Sequence, residues 1–335
     1  MRFLKSIAGL AMAGALLCGH ALAQTPLPVR LSWIVPASNI PSILFLKQGV
    51  AKHAGASYKP ESIRFQGTPP MITALAVNEI DVGLLNFASI GLGIQNAGLE
   101  DLRIFAGEFQ DGVAGHYSNR YFVRKDSGIE KVSDLKGKVI AVNSIGAAID
   151  LGVRAMLRKA GLEDKRDYTI VEAPFGAMKA MLLDKKADLV STGLPFSEDA
   201  ELNEKGKILF SQGDALGATE LGFWVARDGW LKKNKAAVVD LLEDTMLLTR
   251  WYTDPKNHDE AVKIASDFAK APPALFNSWL FNAKDYYRDP NLEPNIEGTQ
   301  KALGFMKDFG FMKDTIDMKK YVDLSYLEEA RKRLK

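Results

Sequence analysis

A repeated unit of strand, polar turn and helix constrains the fold of this chain more than any other feature. Within the stretch of residues 132–196, a short β-branched run at 139–142 suits a buried parallel strand. The turn Asn143-Ser144-Ile145-Gly146 interrupts it, and a helical pattern follows at 147–159. A polar turn at the start of a helix is able to bind an anionic group, although an ordinary strand-to-helix turn has the same sequence.

The same alternation occurs on both sides of this stretch. Earlier strands are predicted at 29–35, 62–65, 81–85 and 102–106, and helices at 43–53, 71–78 and from Asn86 to near Gly98. Later strands are predicted at 169–171, 189–192 and 208–210. Strands that alternate with helices indicate an α/β fold with parallel sheets and right-handed crossovers.

Two extended segments, 117–124 and 220–226, are predicted to connect two α/β lobes. We expect residues 24–120 and 226–335 to form lobe 1 and residues 121–225 to form lobe 2, with a hinge that closes over a cleft. Ligands of open α/β sheets bind at the carboxyl ends of the strands, which both lobes would direct into this cleft. Beyond Asp228 we predict helices at 235–252, 259–268, 274–281, 296–309 and 324–334, the last of them solvated.

The first 23 residues have the pattern of a secretory signal peptide. Arg2 and Lys5 precede an apolar run that is too short to span a bilayer, and Ala21-Leu22-Ala23 is a typical cleavage site. A lipoprotein anchor at Cys18 is disfavoured because Leu17 stands where a small residue is expected. We therefore expect a periplasmic protein.

Cleavage after Ala23 removes Arg2 and Lys5, which lowers the count of Lys and Arg from 43 to 41, equal to the 41 Asp and Glu. The balanced charge argues against a nucleic-acid partner. The same cleavage removes the single Cys, so that no disulfide is expected in the exported chain.

The motifs of common catalytic sites are missing from the sequence after residue 23. Only His53, His116 and His258 remain, no two of them at metal-binding spacing, and there is no G-x-S-x-G or P-loop motif. We expect no enzyme activity, cofactor or metal ion. His116, at the start of the first crossing, either faces the cleft or is a partly buried hinge residue.

Polar residues follow several predicted strands, namely Ser38, Asn39, Asn86, Ser144 and Thr192. Each alone is explained by helix capping, but together at one rim they indicate a binding surface. Aromatic residues are candidates for the walls of a small site, and core packing accounts for at least half of them. These aromatic candidates are Trp33, Phe87, Phe109, Tyr117, Phe196 and Trp224.

Three segments resemble the periplasmic substrate-binding proteins of ABC transporters, of the nitrate/sulfonate/taurine type that shares its fold with thiamine-precursor binders. Gly67 with ALAVNEIDVG at 74–83 is similar to the family pattern G…ALA.GEIDVG. DLKGKVIAV at 134–142 is similar to DLKGKKIAV, and ADLV at 187–190 with Pro195-Phe196 is similar to DA…EPF. The resemblance covers nearly the whole exported chain.

The resemblance implies a two-lobed periplasmic-binding-protein fold (type II, Venus flytrap) with two hinge crossings. It also implies a monomer that delivers a small ligand to an ABC permease. Ligand contacts in this family come from the loops that follow strands. With the aromatic and hinge candidates, the predicted ligand-binding set is Trp33, Ser38, Asn39, Gly67, Asn86, Phe87, His116, Ser144, Ile145, Gly146, Thr192 and Phe196.

The chain departs from the family pattern at two places. Asn86-Phe87-Ala88 replaces a frequent Gly-x-x-Pro, and 192–195 lacks the usual acidic residue before Pro-Phe. The missing negative charge suits an anionic ligand held by neutral donors and helix dipoles. We expect an aliphatic or aromatic sulfonate or carboxylate. The alternatives are nitrate or bicarbonate, a thiamine pyrimidine precursor and, from another class, an enzyme on the same fold.

Overall fold

The computed structural model describes residues 25–335, so the predicted signal peptide at 1–23 lies outside the described residues. Ten strands build two sheets. They are β1 (Leu27–Trp33), β2 (Tyr58–Arg64), β3 (Gly83–Leu85), β4 (Leu102–Asp111), β5 (Arg120–Arg124), β6 (Lys138–Val142), β7 (Tyr168–Glu172), β8 (Leu189–Thr192), β9 (Gly206–Ser211) and β10 (Thr219–Arg227).

The two sheets have the same topology. In the first, β1 pairs in parallel with β2 and is joined to the start of β3 through a bridge from Leu31 to Val82. β10 lies antiparallel between β3 and β4, which gives the order β2-β1-β3-β10-β4. The second sheet has the order β7-β6-β8-β5-β9, with β5 antiparallel to both neighbours. Each sheet therefore contains one strand that the chain contributes after crossing from the other lobe.

Helices cover both sheets and extend the first lobe. They are α1 (Thr68–Ala76), α2 (Phe87–Ala97), α3 (Ala148–Lys159), α4 (Met178–Leu183), α5 (Ala200–Lys205), α6 (Gln212–Leu216), α7 (Asp228–Lys233), α8 (Lys235–Thr253), α9 (His258–Ala269), α10 (Ala274–Asn277), α11 (Ile296–Asp308) and α12 (Ser325–Arg333). Short 3₁₀ helices include Ile40–Ser42, Leu44–Leu46 and Phe175–Ala177.

Burial on both faces of the second sheet explains its apolar strands. In β5, Tyr121 and Val123 pack in one apolar cluster, whereas Phe122 between them packs in another on the opposite face. Ile140 and Ala141 of β6 divide between the same two clusters. Side chains alternate along a strand, so a central strand covered on both faces needs a continuous apolar run.

The crossings differ from the predicted segments. β5 belongs to the second sheet and β10 to the first, and the connections between lobes are residues 112–119 and 212–218. The extended residues from Thr219 onward thus pair with β3 and β4 in the first lobe. The prediction had assigned residues up to 225 to lobe 2. Extended sequence alone does not distinguish a linker from a strand that pairs on both sides.

The helix predicted at 43–53 is wrong, because this segment forms only 3₁₀ turns and a loop. The backbone N–H groups of Lys52, His53 and Ala54 donate to the carboxylate of Asp244 on α8 at 2.6–3.0 Å. These long-range bonds take the place of helical ones.

Two predictions for the C-terminal region also need correction. The helix predicted at 274–281 ends at Asn277, and the chain turns at Phe281, whose φ is +55°. The terminal helix α12 is not solvated all round, since Tyr326, Leu327 and Ala330 are buried in the first lobe.

Within residues 25–335, no helix combines the length and the apolar composition that a membrane span requires. The same residues contain no group of three or more His, Cys, Asp or Glu side chains arranged to hold a metal ion.

Candidate functional site

A cavity lies between the two lobes, where the carboxyl ends of β1, β3, β6 and β8 meet. Its free volume of about 60 Å³ holds a few water-sized groups. Phe109, Phe175 and Tyr286 contribute aromatic walls. The polar side chains that line the cavity are Ser38, Asn39, Thr68, Asn86, Asn119 and Asn143.

The turn after β1 presents Ser38 and Asn39 to the cavity. The Asn39 Oδ1 accepts the backbone N–H groups of Ile34 and Val35 at 3.0 and 2.8 Å, which fixes the amide and directs its Nδ2 donor elsewhere. Asn86 is the N-cap of α2 and accepts from the Ser89 N–H at 3.0 Å. These first-lobe side chains are therefore held by the local turns that they close.

The second-lobe wall is the start of α3. Ala147, Ala148 and Ile149 line the cavity, and the N-cap position is occupied by Ala147, whose side chain cannot cap the helix. Among the described residues, the backbone N–H groups of Ala148 and Ile149 have no protein acceptor. An unsatisfied helix N-terminus of this kind is suited to a negatively charged group.

The Asn143 side chain provides a second, independent indication of a ligand. Asn143 is 5% exposed and lines the cavity. Its Oδ1 is buried without a hydrogen-bond partner, and its Nδ2 donates to no acceptor among the described residues. A buried amide without a partner is costly, so such groups in native structures usually pair with a ligand or water.

No Asp, Glu, Lys, Arg or His side chain is among the residues that line this cavity. Charged groups lie one layer behind it. Arg288 is buried, donates from Nη2 to the Ser38 carbonyl at 2.6 Å and pairs through Nη1 with Asp285 at 2.8 Å. Its guanidinium also lies 5.8 Å from the ring centroid of Phe109. Arg288 thus holds both the Ser38 turn and an aromatic wall in place.

Glu108 supports the same turn from β4. Its Oε1 accepts the Ile40 N–H at 2.8 Å, whereas its Oε2 has no partner within the described residues. Complete burial raises the pKa of Glu108 to about 7, although the charge of Arg288 lowers it in part. Glu108 therefore changes its ionisation near neutral pH directly behind the cavity wall.

The carboxylate of Asp111 joins the two lobe crossings. It accepts hydrogen bonds from the Ser118 hydroxyl and from the backbone and side chain of Asn119. Ser118 Oγ in turn accepts the N–H of Gly213, in the second crossing, at 2.9 Å. Burial raises the pKa of Asp111 to about 6, and the hydrogen bond from Ser118 opposes this shift.

The predicted ligand-binding residues fall into four groups. Ser38, Asn39 and Asn86 line the cavity, and Gly67, Ser144 and Ile145 lie around a further opening of about 370 Å³ at the mouth of the cleft. Phe196 borders a third opening of about 350 Å³ beside Phe175. The remaining five, described next, do not line the central cavity: Trp33, Phe87, His116, Gly146 and Thr192.

Each of these five has another place in the structure. Phe87 and Thr192 are fully buried, and Trp33 packs edge-on against Phe268 with 5.5 Å between the ring centroids. His116 packs against Tyr287 behind the hinge, at 5.2 Å between the ring centroids. Gly146 adopts a φ of +80° and donates its N–H to Asp150. Their side chains serve packing, and Gly146 shapes the turn before α3.

Sequence reasoning missed Thr68, Asn119, Phe175 and Tyr286 as cavity residues. Thr68 lies three residues after the strand predicted at 62–65, so the rule that ligands bind at strand ends could have identified it. Tyr286 comes from the C-terminal region, where it donates to the Asn119 Oδ1 at 2.7 Å, and no local pattern indicates that contact.

Replacing Glu108 tests the effect of its buried carboxyl on stability. Between pH 4.5, the unperturbed value, and about 7, the folded protein holds a proton that the unfolded chain has released. The contribution of the protonated Glu108 carboxyl to the free energy of unfolding is fully present below pH 4.5 and is lost as the pH rises to about 7. In Glu108→Gln the free energy of unfolding relative to wild type should therefore increase across this window, by about 3 kcal/mol. Urea titrations of both proteins at several pH values measure this difference in the free energy of unfolding. A difference that does not change with pH would contradict the account.

Comparisons with known proteins agree with this architecture. The profile of the NMT1-like family matches residues 23–266. A putative aliphatic sulfonates-binding protein of Bacillus subtilis (strain 168) is 27% identical over 227 residues, which are 68% of this chain. The match spans 65% of that relative, less than two thirds of its length.

Solved structures share the fold at low sequence identity. The periplasmic nitrate-binding protein NrtA of Synechocystis PCC 6803 has a TM-score of 0.73 at 16% identity, over 92% of this chain and 89% of its own. The alkanesulfonate-binding protein SsuA of Xanthomonas axonopodis pv. citri, bound to MOPS, has a TM-score of 0.70 at 18% identity, over 90% and 99%.

An enzyme also has this fold. The desulfurization enzyme DSZB has a TM-score of 0.65 at 12% identity, over 92% of this chain and all of its own. The resemblance seen in the sequence is nevertheless confirmed by the family match. The chain belongs to the NMT1-like family and has the two-lobed α/β fold of periplasmic binding proteins.

Proposed function

We propose that this protein is the periplasmic solute-binding component of an ABC importer and captures a small organic anion by closure of its lobes. It would act as a monomer, without catalysis, and deliver the ligand to the membrane permease. Export is proposed from the N-terminal sequence, and the transport role from the family and from the names of its relatives.

One observation carries the proposal for the ligand. The Asn143 side chain, whose Nδ2 donor has no acceptor among the described residues, and the N–H groups of Ala148 and Ile149 belong to the lining of one cavity between the lobes. Neutral donors of this kind bind an anion without a cationic side chain, because the helix terminus adds a partial positive charge. A cationic ligand, by contrast, would meet no carboxylate among the residues that line the cavity.

The walls favour an organic anion over nitrate or bicarbonate. Phe109, Phe175 and Leu84 add apolar surface to the same cavity as the polar donors, which suits a ligand with an apolar part. A sulfonate or carboxylate combines an anionic head with such a part. The proposal of an aliphatic or aromatic organic acid thus follows from the distribution of polar and apolar surface.

Contacts outside the cavity support the proposed closure. A Cβ atom on Gly67 would lie 2.8 Å from the Cβ of Ser144, so the lobes touch at the mouth of the cleft. Ala148, Leu151 and Ala155 of α3 pack into the apolar core of the first lobe. The ligand would add contacts to both sides of this closed arrangement and so favour it.

A second contact, the cation–aromatic clasp, joins α3 to the end of α11. Three cations of α3 lie over three aromatic rings of the first lobe at 5.6–5.8 Å from the ring centroids. Arg158 also donates to the Phe309 carbonyl at 3.0 Å. The pairs are Arg154 with Phe311, Arg158 with Phe309 and Lys159 with Phe305.

Calorimetric titration with methanesulfonate, benzenesulfonate, benzoate and nitrate tests the proposed ligand class. We expect an organic anion to bind, and Asn143→Ala to weaken its binding roughly tenfold through loss of a hydrogen bond to a charged group. The free energy of unfolding of the ligand-free variant should stay within about 0.5 kcal/mol of wild type or rise, because the amide has no partner to lose.

Asn96→Ala is the matched control, since Asn96 is exposed on α2 and outside the cavity. It should leave the affinity unchanged. Failure of every organic anion to bind would refute the ligand class. Lower stability of Asn143→Ala with unchanged affinity would show that Asn143 has a structural role only.

Removing one cation of the clasp should favour the open form. Arg158→Met retains the aliphatic stem but loses the contact with Phe309, which should weaken ligand binding about threefold. Small-angle scattering of the ligand-free variant should give a larger radius of gyration. Lys307→Met removes an exposed charge from α11 as a control. Equal affinities and radii for the two variants would exclude a role of the clasp in closure.

A further inference from the structure

The opening beside Phe196, here called the outer pocket, adjoins the central cavity. Ile34, Val35 and Phe175 line both spaces. The outer pocket has a free volume of about 350 Å³, against about 60 Å³ for the cavity. A ligand whose compact head fills the cavity therefore has room for a larger body towards the outer pocket.

The walls of the outer pocket are suited to a flat body. Phe175 and Phe196 of the second lobe lie nearly parallel, with an interplanar angle of 12° and ring centroids 6.2 Å apart. Pro36 and Phe65 face the pocket from the first lobe. Aromatic and proline surfaces favour planar apolar groups.

Arg64 places a positive charge at this pocket. It is the one cationic side chain among the described residues that line either the central cavity or the outer pocket. Its Nε donates to the Ile34 carbonyl at 3.4 Å, and its guanidinium lies 5.6 Å from the Trp33 ring centroid. Stacking of this kind restrains the guanidinium, while Nη1 and Nη2 have no acceptor among the described residues.

The charges at the two openings of the cleft favour a negative group beside Arg64. Arg64 forms no salt bridge with any described residue, so its charge is available to a ligand. The other opening of the cleft is lined instead by Glu172, which would repel a negative group. A second negative charge on the ligand is thus accommodated on the Arg64 side only.

We infer that the ligand is an elongated dianion, in which one acid group occupies the central cavity, a flat apolar body lies against Phe175 and Phe196, and a second acid group pairs with Arg64. Arg64 is then a specificity-determining residue that separates diacids from monoacids. This inference rests on the proposed function, because it assumes that an acid group binds the central cavity.

Matched ligand pairs test the inference by calorimetric titration. Benzenesulfonate is compared with 4-sulfobenzoate, and benzoate with terephthalate. In wild type, at least one diacid should bind roughly tenfold more tightly than its monoacid partner, as expected for a charge-assisted hydrogen bond. Arg64→Gln should abolish that preference, so that the diacid and its monoacid partner bind with similar affinities. Added salt should reduce the preference in wild type.

Lys59→Gln is the control, since Lys59 is exposed on the same strand, lies outside both cavities and carries the same charge. It should retain the preference for the diacid. Monoacid binding without a diacid preference, or a preference that survives Arg64→Gln, overturns the inference but leaves the proposed function intact. If neither monoacids nor diacids bind, both the inference and the proposed function fail.

Discussion

Unsatisfied backbone donors at the start of α3 are the constraint on which the account of this protein depends. The first N–H groups of a helix need acceptors, and here Ala147 stands at the position where Ser, Asp or Asn would supply one. The second lobe thus presents donors to a cavity that the first lobe closes. In the proposed function, ligand binding and lobe closure would be one event, because an acceptor bound to the start of α3 would also lie beside the Ser38 turn that lines the same cavity.

Charges in this protein lie behind the cavity, where they position neutral groups. Arg288 holds the Ser38 turn, Glu108 holds Ile40, and Asp111 joins the two crossings through Ser118 and Asn119. Buried charges are tolerated when paired and hydrogen-bonded, and such pairs favour a single geometry. The cavity is therefore supported by charged groups although no charged side chain lines it.

The sequence predicted local structure well and long-range contacts poorly. Strand β8 has the predicted bounds, and α3 begins one residue after its predicted start. Both predictions rest on apolar periodicity and glycine stops, which are local signals. The segment at 43–53 does not form the predicted helix, because its end is hydrogen-bonded to Asp244, about 190 residues away in the sequence. Arg288 and Tyr286 reach the site through tertiary contacts that no spacing rule indicates.

The most direct test of the central claim is an NMR titration of the ¹⁵N-labelled protein with benzenesulfonate and 4-sulfobenzoate. Hydrogen bonding to an anion moves amide proton resonances downfield. The account predicts the largest downfield shifts at the Ala148 and Ile149 amides, together with a change at the Asn143 side-chain amide. Saturable binding that leaves these three resonances unmoved would contradict it.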